Sequence, residues 1–307
     1  VPIVRVYRVD LRTRFRGLTS RDGVLVRGEA GWGEFSPFWD YDDVAAVAWW
    51  RSAVEAADEG WPAPVRDCVP VNVTVPAVDA ATAHALVLAS GGCRTAKVKV
   101  AEPAQDVAAE VARLEAVRDA LGPDGAIRID VNGAWDVPTA RARLPLLDRA
   151  AGGLEYVEQP CASVAELAAV RRAVDVPVAA DESVRRAEDP LAVVRAGAAD
   201  VLVLKVAPLG GVRACLRIAE EAGLPVVVSS ALESSVGLAA GLALAAALPE
   251  LPYACGLDPL LPTDGAITVR RTAPDPGLLA ANAADAALAQ RWQRRTAAVR
   301  SLAEAAS

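Results

Sequence analysis

From about residue 67 onward the chain repeats one rhythm, a short apolar run rich in Val and Ile followed by a longer Ala/Leu/Arg stretch of helical character. The apolar runs are VPVNVTV, TAKVKV, AIRIDV, LEYVEQ, VPVAAD, VLVLKV, VVVSS and YACGL. Continuous apolar strands are buried on both faces, as in parallel sheets, and their alternation with helices defines an α/β architecture. Eight such units are what a (β/α)8 barrel of TIM type requires. A doubly wound open sheet is the rival arrangement, but the first unit, VNVTVPAVDAATAH, carries no glycine-rich phosphate loop.

Residues 1–66 do not follow this rhythm. Two strand-like runs, Ile3 to Arg12 and Val24 to Phe35, precede a helical pattern from Asp42 to Glu59, which reads as a separate α+β unit. The WPAP segment at 61–64 suits a linker, since Pro removes a donor and biases its predecessor toward extended geometry. The barrel is expected over 67–258. Beyond it, residues 259–307 turn irregular, with DPLLPTDG and APDPG before an Arg/Ala-rich helix that is expected to return to the N-terminal unit.

Charged residues close successive apolar runs. Lys97 and Lys99 stand in TAKVKV, Asp130 in AIRIDV, Glu158 in LEYVEQ, Asp181 after VPVAA and Lys205 in VLVLKV. In a barrel the C-terminal strand ends share one mouth, where active sites sit, so these side chains are expected to meet. Asp130, Glu158 and Asp181 offer oxygen donors of the kind Mg²⁺ prefers, and a trio leaves coordination positions for water and substrate. Lys97 and Lys99 lie two apart, hence on one face of their strand. Their mutual repulsion is expected to lower their pKa values, because a free Lys near ~10.4 is a poor base and one near ~7–8 a useful one.

Composition narrows the function classes. With 53% apolar and 23% charged residues and a net charge of −7, the chain reads as a globular enzyme that does not favour nucleic acid or anionic membranes. Five cysteines without CxxC spacing fit a reducing cytoplasm, and no stretch has the length and apolarity of a membrane span. SSVGLAAGLALAAALPE is instead expected to be a barrel helix. His84, the single histidine, lies in a helical stretch and reads as structural; without a second His or a nucleophile elbow, Ser/His hydrolysis is excluded.

The ordered set KVK (97–99), DVN (130–132), VEQP (157–160), ADES (180–183) and LKVAPLGG (204–211) resembles the enolase superfamily, and GWGEFSPF (31–38) resembles its N-terminal capping domain. A KxK pair opposed by a Lys after the sixth strand is similar to the muconate lactonizing subgroup. That subgroup holds cycloisomerases, dipeptide epimerases, N-acylamino acid racemases and o-succinylbenzoate synthases. The eighth run, YACGLDP, lacks the DxD of dipeptide epimerases, whereas VVVSSALESSVGLA resembles the o-succinylbenzoate synthase family.

The resemblance implies an α/β fold with a TIM-type barrel under an N-terminal α+β capping domain completed by the C-terminal tail. It also implies proton abstraction beside a carboxylate, with one Mg²⁺ (or Mn²⁺ in its place) on Asp130, Glu158 and Asp181, and catalysis by Lys99, Lys205 and Lys97. Ser229 and Gly256 would hold a substrate carboxylate, Asn132 and Glu182 would support the metal ligands, and the loop Phe15–Ser20 would cover the mouth. The expected partner is a small-molecule carboxylate substrate, with neither nucleic acid nor membrane, and the expected state is a monomer. The expected reaction is a dehydration yielding 2-succinylbenzoate, with N-succinylamino acid racemisation or muconate-type cycloisomerisation as alternatives.

Overall fold

The computed structural model describes residues 1–15, 18–103, 105–186, 188–257, 266–268 and 273–306. Strands β1 (Ile3–Phe15), β2 (Leu18–Arg27) and β3 (Trp32–Phe35) form an antiparallel sheet in that order. The run expected over Val24–Phe35 therefore divides in two. A turn at 28–31, closed by Gly28 N donating to Gly31 O at 2.9 Å, separates β2 from β3. Helix α1 (Ala46–Val54) continues into a π-helical turn, Glu55–Glu59. The helical pattern starting at Asp42 takes effect only at Ala46, because the Asp42 carboxylate accepts from Ala45 N at 2.7 Å and holds the preceding residues in a turn.

The WPAP segment leads without regular structure to β4 (Cys68–Pro70) and then to the repeating units. These are β5 (Val73–Val75), α2 (Ala80–Leu88), β6 (Thr95–Lys99), α3 (Val107–Leu121), β7 (Ala126–Asp130), α4 (Val137–Ala151), β8 (Val157–Glu158) and α5 (Val164–Arg171). They continue with β9 (Val178–Ala180), the short α6 (Glu182–Arg185) and α7 (Ala192–Arg195), β10 (Val201–Leu204), α8 (Val212–Ala222), β11 (Val226–Val228) and α9 (Ser235–Ala247). β5 to β11 make one parallel sheet in chain order.

The eighth apolar run forms no extended ladder. It joins both edges of the curled sheet by single bridges, Cys255 to Val71 and Gly256 to Ser229. Cys255 N donates to Pro70 O at 2.7 Å and Gly256 N to Val228 O at 2.8 Å, so backbone groups on either side are satisfied. The α/β, TIM-barrel-like core with an N-terminal antiparallel sheet agrees with the expected fold class.

A third sheet, of two strands, forms where β12 (Ala266–Thr268) pairs antiparallel with β4, a pairing with no counterpart among the expected elements. The chain ends in α10 (Pro276–Ala281) and α11 (Ala286–Ala305). The DPLLPTDG segment at 258–265 lies outside the described residues. α11 buries Trp292, Val299 and Ala303 against Val24, Val26, Phe35 and Trp49 of the N-terminal unit. Edge-to-face contacts of Phe35 with Trp50 and Trp292, at 5.5 and 5.8 Å, set that core's geometry. Trp292 Nε1 donates to Asp22 Oδ1 at 2.7 Å, tying the last helix to β2.

Most barrel helices carry their own N-terminal acceptors. Asp79, Asp106 and Asp136 accept from the third residue beyond them in α2, α3 and α4, and Ser163 with Glu166 forms a capping box at α5. α8 differs: its N-cap is Gly211, at φ +117°. Glu55 of the N-terminal unit supplies the missing carboxylate, accepting from Val212 N at 2.6 Å and Arg213 N at 3.0 Å. A Cβ at Gly211 would overlap Glu55 Oε2, so glycine is required both for the backbone and for this approach.

α9, the longest uncharged stretch, places Ala243, Leu244, Ala245 and Ala246 in the barrel core. Among the described residues, no helix is long and apolar enough to cross a membrane. His84 Nε2 lies 3.1 Å from Asp119 Oδ2 at the surface between α2 and α3, a structural contact.

Candidate active site

Parallel register sets the expected charged residues side by side. Lys99 pairs with Asp130 across β6 and β7, and Asp130 with Glu158 across β7 and β8. Asp181 follows the last residue of β9, Lys205 the last of β10 and Ser229 the last of β11. All of these side chains, with Lys97, are buried. A strand period of two puts Lys97 and Lys99 on one face, and both reach the same oxygen: Asp130 Oδ2 accepts from Lys97 Nζ at 3.2 Å and from Lys99 Nζ at 2.5 Å.

Lys97 also donates to Glu158 Oε1 at 3.2 Å, and Lys205 Nζ donates to Asp181 Oδ2 at 2.6 Å. Asn132 connects the two sides. Its Oδ1 accepts from Lys99 Nζ at 2.7 Å and its Nδ2 donates to Glu182 Oε1 at 3.3 Å. Asn132 holds φ at +50°, a left-handed conformation that Asn tolerates better than most side chains. Ser229 and Gly256 are also brought together, by the bridge that closes the sheet; a Cβ on Gly256 would lie 2.6 Å from Ser229 Oγ. Of the expected covering loop, Phe15 ends β1 and Leu18–Ser20 begin β2, so strand replaces loop there, and residues 16 and 17 lie outside the described residues.

The electrostatics correct one expectation. Burial pulls the Lys97 pKa down, but Glu158 and Asp130 outweigh it and hold the ammonium well above its ordinary value. The neighbouring lysine therefore does not dominate. Asp130 is buried too, yet Lys99 and Lys97 drive its carboxyl far below the usual carboxylate range. Asp181 is lowered to about 2 by Lys205 and Arg185 against the opposing effect of burial. Glu158 goes the other way: burial and the Asp130 charge push it up to about 7, because Lys97 is shared between the two acids.

Among the described residues, no three His, Cys, Asp or Glu side chains are grouped so as to hold a metal ion. The ammonium group of Lys97 bridges Asp130 and Glu158, while Lys205 occupies Asp181. The donor set nonetheless fits a hard divalent cation: it is all oxygen, it comes from three adjacent strand ends, and Glu158 sits where added positive charge would relieve its repulsion from Asp130.

Several contributors escaped the sequence. Arg185 donates from Nε to Asp181 Oδ1 at 2.9 Å, from one terminal nitrogen to Glu182 Oε1 at 2.6 Å and from the other to Tyr41 Oη of the N-terminal unit at 2.7 Å. Its spacing four residues after Asp181 was the available signal, since such pairs meet on a helix. Gln159, at φ +42°, accepts from Asp181 N at 3.0 Å and donates to Ser183 Oγ at 2.7 Å, fixing the end of β9 against β8.

Comparison with known proteins agrees with this geometry. The Enolase C-terminal domain-like family matches residues 79–284 and the Enolase N-terminal domain-like family residues 6–57. An o-succinylbenzoate synthase from Thermobifida fusca is 64% identical over 96% of this chain and 95% of its own length. One from Mycobacterium tuberculosis is 53% identical over 97% and 93% respectively. Muconate cycloisomerase from Pseudomonas fluorescens superposes with a TM-score of 0.75 at 25% identity, covering 92% of this chain and 98% of that one. The chain belongs to the enolase superfamily, within its muconate lactonizing subgroup. A metal-dependent mechanism comes with that membership.

Proposed function

We propose that this enzyme is a lyase of the o-succinylbenzoate synthase type, dehydrating 2-succinyl-6-hydroxy-2,4-cyclohexadiene-1-carboxylate to 2-succinylbenzoate for menaquinone synthesis. The observation that carries this reading is the near full-length identity of 64% to an o-succinylbenzoate synthase, together with buried lysines at the ends of β6 and β10. Racemisation of an N-succinylamino acid remains the second reading, favoured by the same lysines acting on opposite faces of a substrate carbon.

Mg²⁺ held by Asp130, Glu158 and Asp181, with Mn²⁺ as a substitute, would supply positive charge to the carboxylate beside the reacting carbon. The chain's own residues do the proton chemistry. Lys99, as the free amine, takes the proton from that carbon; its ammonium then protonates the departing hydroxide, so the C–H and C–O bonds break on one face and water leaves as the ring becomes aromatic. Asp130 Oδ2 accepts from both Lys97 and Lys99, which holds the proton-transferring group beside the proposed metal-binding acids. Lys205 stays an ammonium and stabilises charge building on the opposite side. Lys97 orients a carboxylate oxygen, Ser229 and Gly256 receive the succinyl carboxylate, and Asn132 and Glu182 hold Lys99 and Arg185 in place. A cytoplasmic setting is part of the reading, supported by five cysteines that are all free thiols. A monomer is part of it too.

The test is incubation of the protein with the cyclohexadiene substrate and Mg²⁺, following loss of diene absorbance, with an EDTA control. Fast metal-dependent loss is expected. A folded protein that leaves the diene untouched but exchanges the α-proton of an N-succinylamino acid for deuterium would transfer the assignment to a racemase.

A further inference from the structure

Glu34, on β3 of the N-terminal sheet, is only 5% exposed, and its carboxylate lies at the start of α9 in the barrel. Oε1 accepts from Tyr7 Oη at 2.8 Å, Ser36 Oγ at 2.8 Å and Ser234 N at 3.1 Å. Oε2 accepts from Gly237 N at 3.0 Å, from Ser234 N at 3.1 Å and from Ser234 Oγ. Ser234 is the N-cap of α9, and Gly237 is the third helical residue. In a capping box that third position carries a Glu or Gln that reaches back to the N-cap amide, as Glu166 reaches Ser163 N at α5. In α9 the position is glycine, where a Cβ would lie 3.1 Å from Glu34 Cδ and 2.6 Å from Glu233 Cβ. The carboxylate that completes the helix start arrives from the other domain.

A second tie comes from Arg21, itself buried. Its Nε donates to Leu232 O at 3.0 Å and its NH2 nitrogen to Ser36 O at 2.6 Å. Leu232 has φ +61°, a left-handed conformation unfavourable for a branched side chain, which persists where surrounding contacts impose it. The segment held in this way runs from Ser229, opposite Gly256, to Gly237. Two buried charged residues of the N-terminal sheet thus grip the loop that follows the seventh barrel strand at three backbone points: Leu232 O, Ser234 N and Gly237 N.

We propose that Glu34, assisted by Arg21, is a positioning residue that sets the shape of the 229–237 loop and thereby the substrate-binding end of the barrel. It does not touch reacting atoms. The inference rests on the reading of Ser229 and Gly256 as substrate contacts, and it locates part of substrate affinity in a domain that contributes none of the lysines or acids of the site. Stability alone would not need this arrangement, because Ser234 already caps α9 through its own Oγ, which accepts from Val236 N at 3.2 Å.

The test compares Glu34→Gln with Tyr7→Phe. Both remove a contact of the same cluster, but Tyr7 Oη donates to Glu34, and among the described residues no hydrogen bond joins it to the loop. Glu34→Gln keeps the shape while turning an amide N–H toward backbone donors. It is expected to raise hydrogen exchange of peptides within 229–238 at least about tenfold and to raise KM about tenfold or more, with kcat little changed. Tyr7→Phe should lower urea resistance while leaving both loop exchange and KM at wild-type values. Arg21→Lys, which loses the fork onto Leu232 and Ser36, should repeat the Glu34→Gln pattern if that variant folds poorly. Equal KM in Glu34→Gln and wild type, or a KM that tracks stability in all three variants, would overturn the proposal. If wild type does not consume the cyclohexadiene, the substrate reading fails, and loop exchange alone decides whether Glu34 positions the loop.

Discussion

Arg185 Nε donates to Asp181 Oδ1 at 2.9 Å while Lys205 Nζ donates to Oδ2 at 2.6 Å, so this buried carboxylate is held on both oxygens by cations from different elements. The two contacts have separate consequences. Arg185 also binds Tyr41 Oη, which links the acid to the N-terminal unit, whereas Lys205 lies at the end of β10. Both partners share its charge, and Arg185 also orients it against the N-terminal unit.

Arg185→Met should destabilise the fold by about 1–3 kcal/mol, the usual cost of leaving a buried acceptor, here Asp181 Oδ1, without its donor, since Lys205 still compensates the charge. Urea denaturation measures it directly. A loss below ~1 kcal/mol would mean that water or a rotated side chain replaces the guanidinium, and the two-sided grip on Asp181 would then be incidental.

Lys99→Ala should reduce kcat by roughly 10²–10⁴-fold, the range of a positioned general acid–base group, and Lys205→Ala by roughly 10²–10³-fold, the range of one lost charge-stabilising donor. Far-UV circular dichroism should be unchanged, since the strand backbone does not depend on either ammonium. Near wild-type turnover by a folded variant would remove that lysine from the mechanism.

Metal binding should appear as a stability gain. At ~100 times its dissociation constant, a ligand specific for the folded state adds ~2.7 kcal/mol. Mg²⁺ should therefore raise the melting temperature of the EDTA-treated protein, and Asp181→Asn should blunt that rise and increase the Mg²⁺ needed for half-maximal activity. An identical Mg²⁺ titration in the variant would take Asp181 out of the ligand set.

Burial, reinforced by the charge of Glu34, pushes the Glu233 carboxyl up to about 7 from an ordinary 4.5, and Arg21 and the amides of Ala231 and Glu233 only partly oppose this. The folded state holds this proton more tightly than the unfolded one. Its contribution to stability is complete below pH 4.5 and is lost as pH rises to about 7. Glu233→Gln should flatten the decline of stability over that interval in urea melts at stepped pH. A decline as steep as in wild type would place the responsible group elsewhere.

The repeating units were legible because a charged residue ending an apolar run interrupts a strong period, and parallel register then sets Lys99, Asp130 and Glu158 side by side. The closing strand was less so: YACGL has the composition of a strand but joins its neighbours by one bridge on each side. The split at 28–31 depended on a glycine turn inside a run read as continuous. The direction of the Lys97 shift was misjudged because sequence spacing shows which like charge is nearby but not how closely two carboxylates approach. Glu34 lies within the recognisable GWGEFSPF segment, but nothing there, or around Glu55 and Tyr41, announces the partners these residues meet. Each acts on a helix or side chain more than a hundred residues away, and no local period encodes such a meeting.

The bond from Trp292 to Asp22 gives the molecule an order of assembly. Trp292 shares a buried cluster with Val24, Phe35 and Trp49, so the N-terminal sheet, although made first, has no finished interior until the final helix exists. A nascent chain must carry that apolar face unshielded while the whole barrel is synthesised, and contacts spanning nearly the full sequence are slow to close. Chains cut short before α11 should therefore be lost to aggregation or proteolysis even though every residue of the lysine and carboxylate cluster has already been made.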